Sequence, residues 1–81
     1  MEKREENERK FNTWQDLPDG GRQYRLAIGG RNGWKAVYVK EVNAMEKTLA
    51  FWQEIYDDQD QLIEIHHKYP IDTGHQNVRE V

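Results

Sequence analysis

The feature that most constrains this chain is an alternation of polar and apolar residues with period two, which runs from Gln23 to Tyr69. Turn-forming residues interrupt it at regular intervals, as in a series of β-hairpins. The first turn is Asn32-Gly33, a pair that suits a type I′ turn because both positions need a positive φ. The pattern predicts four strands, over about 23–29, 34–42, 48–57 and 61–69. We therefore expect a mainly β fold, a four-stranded antiparallel β-meander.

The register of the strands follows from burial, because a slip of one residue moves every side chain to the opposite face. The turn sets Arg31 opposite Trp34, and loops at 43–47 and 58–60 have ordinary hairpin lengths. The resulting pairs are Leu26 with Val39, Val39 with Phe51, and Ile55 with Ile63. This register predicts one apolar core face, formed by Tyr24, Leu26, Ile28, Val37, Val39, Leu49, Phe51, Ile55, Ile63, Ile65 and Tyr69.

The residues before the first predicted strand fall into two parts. Residues 1–10 are almost wholly charged or polar and are expected to form a flexible tail before a single domain over 11–81. Phe11, Trp14 and Leu17 recur at intervals of three, which suits a short helix and an α+β fold, although a strand or an irregular segment is also compatible. An apolar sheet face needs a cover. Two covers are open: this short segment, or the same face of a second molecule in a homodimer.

Composition limits the classes of function. The chain has no cysteine, which excludes disulfides, thiolate zinc sites and cysteine nucleophiles. A small domain without such cross-links is typical of a reducing interior, so we expect a soluble cytoplasmic protein. Residues 1–10 lack the apolar stretch of a signal peptide, and no apolar run approaches the roughly 20 residues of a membrane-spanning helix. We therefore expect no contact with a membrane.

The formal net charge of −3 is unevenly distributed, because residues 17–40 carry five basic side chains against Asp19 alone. On the face opposite the predicted core, cations flank aromatic rings. Such a surface can neutralise phosphates and stack nucleic-acid bases. The residues expected to bind a partner are Arg25, Tyr38, Lys40, Trp52 and Lys68. We therefore predict a non-enzymatic interaction module for a protein partner, for itself or for a nucleic acid such as RNA, and a merely solvated surface is the alternative without a ligand.

The same face offers an enzymatic alternative. The predicted register sets Glu54 opposite Glu64 and Trp52 opposite His66. Two carboxylates and an imidazole could perform acid–base chemistry on RNA or hold a divalent metal ion. These residues lie in no motif of diagnostic spacing, so we expect no metal and no cofactor and rank enzymatic activity second.

The stretch from Tyr24 to His75 resembles a family of short uncharacterised microbial proteins that carries no assigned activity. The matching runs are Trp34–Val42, Gln53–Asp57 and Glu64–His75. A smaller likeness links His66-His67-Lys68 to the His-His-Lys-His run of TumE-type toxins, which are small β-rich members of toxin–antitoxin pairs. Tyr69-Pro70 departs from that run. This second resemblance implies a small RNA-acting toxin, in line with the enzymatic alternative.

Overall fold

A computed structural model describes residues 2–72 and 74–77 of the chain. These residues form one α-helix, a short 3₁₀ turn at Arg31–Gly33 and six strands, and all six strands belong to one antiparallel sheet in chain order. The bounds are α1 Glu2–Lys10, β1 Thr13–Asp16, β2 Arg22–Gly29, β3 Lys35–Val42, β4 Thr48–Tyr56, β5 Leu62–Tyr69 and β6 Gly74–Asn77. The prediction of a mainly β, antiparallel meander is therefore confirmed.

The sheet has two more strands than the sequence pattern predicts, one at each edge. The four predicted strands correspond to β2–β5, and β6 pairs with β5. At the other edge, β1 comes from the segment expected to cover the core. A tight turn places β1 alongside β2. In this turn the N–H of Leu17 donates to the carbonyl of Gly21 at 2.9 Å. The segment thus extends the sheet, and of its residues 11–17 Phe11 alone is buried.

Helix α1 occupies the residues expected to form a flexible tail. Its sequence, EKREENERK, contains no apolar residue, so hydrophobic periodicity could not predict that it docks. Polar contacts hold it instead. Arg4 Nε donates to Glu46 Oε1 at 2.8 Å, and Glu8 Oε2 accepts from an Arg22 guanidinium N–H at 2.7 Å. Asn7 is 4% exposed, which shows that the helix presses a polar side chain against the sheet.

The predicted register is wrong by one residue in each of the three central hairpins. The observed pairs are Leu26 with Tyr38, Val39 with Trp52, and Ile55 with Glu64. Two sides of the sheet result. The helix side, on which α1 lies, carries Tyr24, Tyr38 and Phe51, whereas the far side carries Val39 and Trp52. The single apolar face expected from the sequence is therefore divided between the two sides.

The turns lie where they were predicted, and extra residues beside them cause the shift. Asn32 and Gly33 have φ values of 59° and 79°, and the N–H of Trp34 donates to the carbonyl of Arg31, as a type I′ turn requires. The N–H of Gly30 also donates to the carbonyl of Trp34 at 2.7 Å. Gly30 therefore takes the position opposite Trp34 that the predicted register gave to Arg31. In each of the next two hairpins, the register shifts beside the strand pair that adjoins the loop. The shift lies between residues 41 and 42 in the β3–β4 hairpin and between residues 55 and 56 in the β4–β5 hairpin.

Val37 and Val39 are buried on the far side, and a second buried cluster lies on the helix side, beneath the end of α1. Phe11, Tyr24 and Val42 are buried together, and partly buried apolar side chains pack against them. The rings of Phe11 and Tyr24 are 5.5 Å apart between centroids. At the other end of the same side Ile28 is 48% exposed, so the cover is confined to the end of the sheet that carries the loop 43–47.

Candidate functional site

A groove opens on the helix side where α1 meets the sheet. One cavity of about 530 Å³ is lined by Lys10, Lys40 and Lys47 together with rings of aromatic residues. An adjoining cavity of about 240 Å³ shares these three lysines and adds Lys3. We call the two cavities the lysine groove. Its four lysines and its aromatic rings are Lys3, Lys10, Lys40, Lys47, Phe11, Phe51 and Tyr69.

Separate elements supply the lining of the lysine groove. Lys3 and Lys10 belong to α1, and Lys47 ends the loop between β3 and β4. The rest of the lining comes from one row across the sheet, because Lys40 of β3 is the cross-strand partner of Phe51 in β4, and Phe51 is the partner of Tyr69 in β5. Cross-strand partners point to the same side of a sheet. The groove therefore depends on the docking of α1 against an already aligned row.

The positive charges of the lysine groove are not neutralised by ion pairs. Within residues 2–72 and 74–77, none of its four lysines forms a salt bridge. Lys40 Nζ instead donates to the neutral amide oxygen of Asn7 at 2.9 Å. The carboxylates in the lining are Glu6 and Glu46. A protein with a net charge of −3 thus concentrates four cations around one concavity.

Glu46 is the buried carboxylate that joins α1 to the sheet, and it is 4% exposed. Its Oε1 accepts from Arg4 Nε at 2.8 Å, and its Oε2 accepts from Asn7 Nδ2 at 3.0 Å and from the hydroxyl of Tyr24. Burial acts to raise the pKa of Glu46, but these hydrogen bonds outweigh it and hold the pKa below its usual value. Both oxygens of this carboxylate are therefore occupied, and α1 supplies two of the three donors.

A tight turn presents Glu46 to the interior. The N–H of Asn43 donates to the carbonyl of Lys47 at 3.0 Å, and the N–H of Glu46 donates to the carbonyl of Asn43 at 2.9 Å. Glu46 has a φ of 66°, in the left-handed region that residues other than glycine seldom adopt. The hydrogen bonds of its side chain hold it there. The same turn ends at Lys47, which lines the groove immediately before β4.

Lys40 is the least exposed of the four lysines. Burial lowers its pKa below the usual value, and the nearby charges of Lys10 and Lys3 lower it further. Glu46 and Glu6 act in the opposite direction without restoring the pKa. An ammonium group crowded by other cations gains from an anion placed beside it. The lysine groove is therefore suited to bind an anionic group.

Aromatic rings extend from the lysine groove along the helix side. Tyr38 and Phe51 stack with centroids 6.2 Å apart and ring planes inclined by 18°. Lys68 Nζ lies 5.7 Å from the ring centroid of Tyr38, within the range of a cation–π interaction. Tyr69 is 46% exposed at the end of β5. Three of the five residues expected to bind a partner, Tyr38, Lys40 and Lys68, thus lie in the groove or beside it.

The other two, Arg25 and Trp52, lie on the far side of the sheet, so the single binding face expected from the sequence does not form. Both donate to Glu54: an Arg25 guanidinium N–H to Oε1 at 2.8 Å and Trp52 Nε1 to Oε2 at 2.8 Å. The hydroxyl of Tyr56 donates to Oε1 at 2.7 Å. Burial acts to raise the pKa of Glu54, and these donors together with the charge of Arg25 lower it overall. Glu54 is thus a fully hydrogen-bonded structural carboxylate.

The candidate catalytic residues are not brought together. Glu54 pairs with Ile65, whereas Glu64 pairs with Ile55 on the helix side, so the two carboxylates point to opposite sides of the sheet. His66 shares the helix side with Glu64, and its Nε2 lies 2.6 Å from Asp72 Oδ1. The expected pairing of Trp52 with His66 is also wrong, because the partner of Trp52 is His67. Among the described positions, no three His, Cys, Asp or Glu side chains are placed to hold a metal ion.

Sequence reasoning missed Lys3, Lys10 and Lys47 as members of the site. All three lie outside the predicted strands, on α1 or in a loop. The available signal was the basic end of the N-terminal segment, Arg9-Lys10, immediately before the apolar Phe11. This basic pair indicates a binding site only if α1 folds onto the sheet, which the sequence pattern does not predict.

Comparison of the chain with family models, with curated proteins and with solved structures finds no match. No helix among residues 2–72 and 74–77 has both the length and the apolar character needed to span a membrane. The function is therefore inferred from the lysine groove itself.

Proposed function

We propose that this protein is a non-enzymatic module that binds single-stranded RNA in the lysine groove. One observation carries the proposal: in a protein of net negative charge, four lysines that form no salt bridge within the described residues surround a groove lined by aromatic rings, of which Tyr69 is exposed. A cationic groove lined by aromatic rings is the usual arrangement for binding single-stranded nucleic acid without a strict sequence preference.

The lysines would bind the phosphates. Each ammonium that neutralises a phosphate releases a condensed counterion, which makes affinity fall as salt rises. With four lysines in contact, the slope of log affinity against log salt for a single strand would be about −3. The acidic residues elsewhere on the protein would repel the remaining phosphates, so contact with the backbone would be confined to the groove.

The aromatic rings would bind the bases. Phe51 and Tyr69 are cross-strand partners in the groove, and Tyr38 stacks on Phe51 beside it. Stacking of a base on an aromatic side chain contributes about 1–3 kcal/mol and depends little on which base is present. The cavity of about 530 Å³ lies within the size range of small-ligand sites, so it has room for one base with its phosphate.

The alternative of an RNA-acting toxin has less support. It draws on the resemblance of His66-His67-Lys68 to TumE-type toxins and on a site built from Glu54, Glu64 and His66. Glu54 is turned away from the other two, on the far side of the sheet. A binding module needs only the cations and rings that the groove already contains.

The test is a titration of fluorescein-labelled oligouridine, followed by anisotropy at several salt concentrations. We expect the double variant Lys10→Gln, Lys47→Gln to flatten the salt slope by about 1.4, since two phosphate contacts are lost. The matched control, Arg31→Gln with Lys35→Gln, removes two charges in and beside the first turn, outside the groove, and should leave the slope unchanged.

Two results would overturn the proposal. The first is an equal loss of affinity in the groove variant and in the control variant, which would indicate a non-specific response to net charge. The second is competition by polyglutamate at the same concentration as unlabelled oligouridine, which would indicate a site for an acidic protein segment.

A further inference from the structure

We infer that Asn7 is a positioning residue of the lysine groove: its buried amide stands between the Glu46 carboxylate and the Lys40 ammonium and keeps Lys40 available for a phosphate. The inference rests on the proposed function, because it concerns the same groove. It assigns to Asn7, a helix residue in the lining of the smaller cavity, a role that acts through its hydrogen bond to Lys40.

The geometry places Asn7 as a spacer. Its Nδ2 donates to Glu46 Oε2 at 3.0 Å, and its Oδ1 accepts from Lys40 Nζ at 2.9 Å. Asn7 is 4% exposed, its bond to Glu46 is buried and its bond to Lys40 is partly buried, so water has limited access to the amide. A neutral amide can donate to a carboxylate through its NH₂ group and accept from an ammonium through its oxygen at the same time.

Without the spacer, Lys40 and Glu46 would be expected to pair directly, because opposite charges attract strongly in a partly buried site. Glu46 does not need that pairing, since Arg4 provides its counter-charge and Tyr24 provides a further donor. The charge of Glu46 is thus neutralised by Arg4 of α1. Lys40 contacts the neutral amide of Asn7 and keeps its positive charge.

An ammonium group has three N–H donors, and Lys40 commits one of them to Asn7. Lys40 lines both cavities of the groove, where the remaining donors can reach a phosphate oxygen. The charged groups that act on Lys40 are Lys3, Glu6 and Lys10 from α1 and Glu46 from the turn, and Lys47 lines the same cavities. Burial and the two helix lysines hold the pKa of Lys40 below its usual value, and the charges of Glu46 and Glu6 do not restore it.

The test uses Asn7→Asp, which keeps the shape of the side chain and places one carboxylate oxygen against Lys40 and the other against Glu46 Oε2. We expect the pKa of Lys40, measured by NMR titration of its Nζ-linked methylene, to rise relative to the wild type. The salt slope for oligouridine should flatten by about 0.7, the value of one lost phosphate contact. The matched control is Asn12→Asp, the same substitution at an exposed position outside the lysine groove, and both readouts should stay at wild-type values.

Thermal unfolding of each variant shows whether it is folded. If Asn7→Asp fails to fold, Asn7→Ala removes the spacer without adding a charge, and it should also raise the pKa of Lys40 by allowing a direct bond to Glu46. An unchanged Lys40 pKa in a folded variant would overturn the inference. So would a flattening of the salt slope by Asn7→Asp in a protein that already carries Lys40→Gln, because the two changes should act through one contact.

Failure of the proposed function would look different. If the wild-type protein shows no salt-dependent affinity for oligouridine, the binding proposal fails, whereas the Lys40 pKa still reports on the spacer in the free protein.

Discussion

Glu46→Gln is the substitution that examines the docking of α1 most sharply. It keeps the size of a buried side chain and removes its charge. An amide has one acceptor oxygen, so its NH₂ group must face a donor whichever way it is turned: Arg4 Nε on one side, Asn7 Nδ2 on the other. At least one charge-assisted hydrogen bond is lost and one buried donor is left facing another.

The magnitude follows from that loss. A hydrogen bond to a charged group contributes about 1.5–3 kcal/mol, so we expect the free energy of unfolding to fall by about 2 kcal/mol. A chain of 81 residues has a total stability of roughly 4–12 kcal/mol. A fall of this size corresponds to a decrease in Tm of roughly 8–16 °C. Helix α1 should be affected first, since Glu46 is its main attachment.

The assay combines urea unfolding, followed by far-ultraviolet circular dichroism, with hydrogen exchange of the α1 amides. The control is Glu5→Gln, an exposed residue of the same helix, for which we expect a change below about 0.5 kcal/mol. The reasoning is refuted if Glu46→Gln is as stable as Glu5→Gln, or if its α1 amides exchange no faster than those of the wild type.

The pH dependence provides an independent check on Glu46. Its folded-state pKa is lowered, so its ionised form stabilises the protein above the unfolded-state pKa of about 4.3, and this stabilisation is lost as the pH falls through the folded-state value. The difference in the free energy of unfolding between the wild type and Glu46→Gln should therefore be largest near neutral pH and should decrease below about pH 4.3. A difference that is constant from neutral to acidic pH would mean that the charge of Glu46 is not the source of the effect.

Two further predictions concern the sheet. Gly33→Ala should destabilise the protein by about 1–2 kcal/mol, because Gly33 has a φ of 79° and an added Cβ would meet Asp58 Cβ at 3.0 Å. Gly29→Ala, with open space around its Cβ position, should leave the urea midpoint unchanged or raise it. Trp52→Phe should lower the free energy of unfolding by about 1–2 kcal/mol through loss of its bond to Glu54, while the affinity for oligouridine stays unchanged. A loss of RNA affinity in Trp52→Phe as large as that of the Lys10, Lys47 double variant would place the binding surface on the far side.

The strands and turns of the central sheet could be predicted because their signals are local. Asn32-Gly33 carries the positive φ values of its turn, and the three-residue loop 58–60 is closed by a hydrogen bond from the N–H of Asp57 to the carbonyl of Gln61 at 3.0 Å. The register could not be predicted, because apolar residues occupy both parities in β4, where Leu49-Ala50-Phe51-Trp52 suits either side of the sheet. One extra residue beside each turn then decides which side is buried.

The candidate site was predicted in part for the same reason. Tyr38, Lys40 and Lys68 follow from cations and rings on neighbouring strands, which alternation detects. Arg25 and Trp52 were assigned to the same face by the slipped register and lie on the far side. The remaining lysines come from α1 and a loop, and their convergence depends on one buried carboxylate in a residue with positive φ. Neither a polar helix that docks nor a left-handed glutamate has a signature in hydrophobic periodicity.

The proposal that the lysine groove binds single-stranded RNA is tested most directly by a ¹H–¹⁵N NMR titration with oligouridine. The predicted result is a set of shifted amides confined to the groove, at Lys10, Phe11, Lys40, Lys47, Thr48, Phe51 and Tyr69. Unshifted amides at these positions, or shifts centred on Arg25 and Trp52 across the sheet, would contradict it.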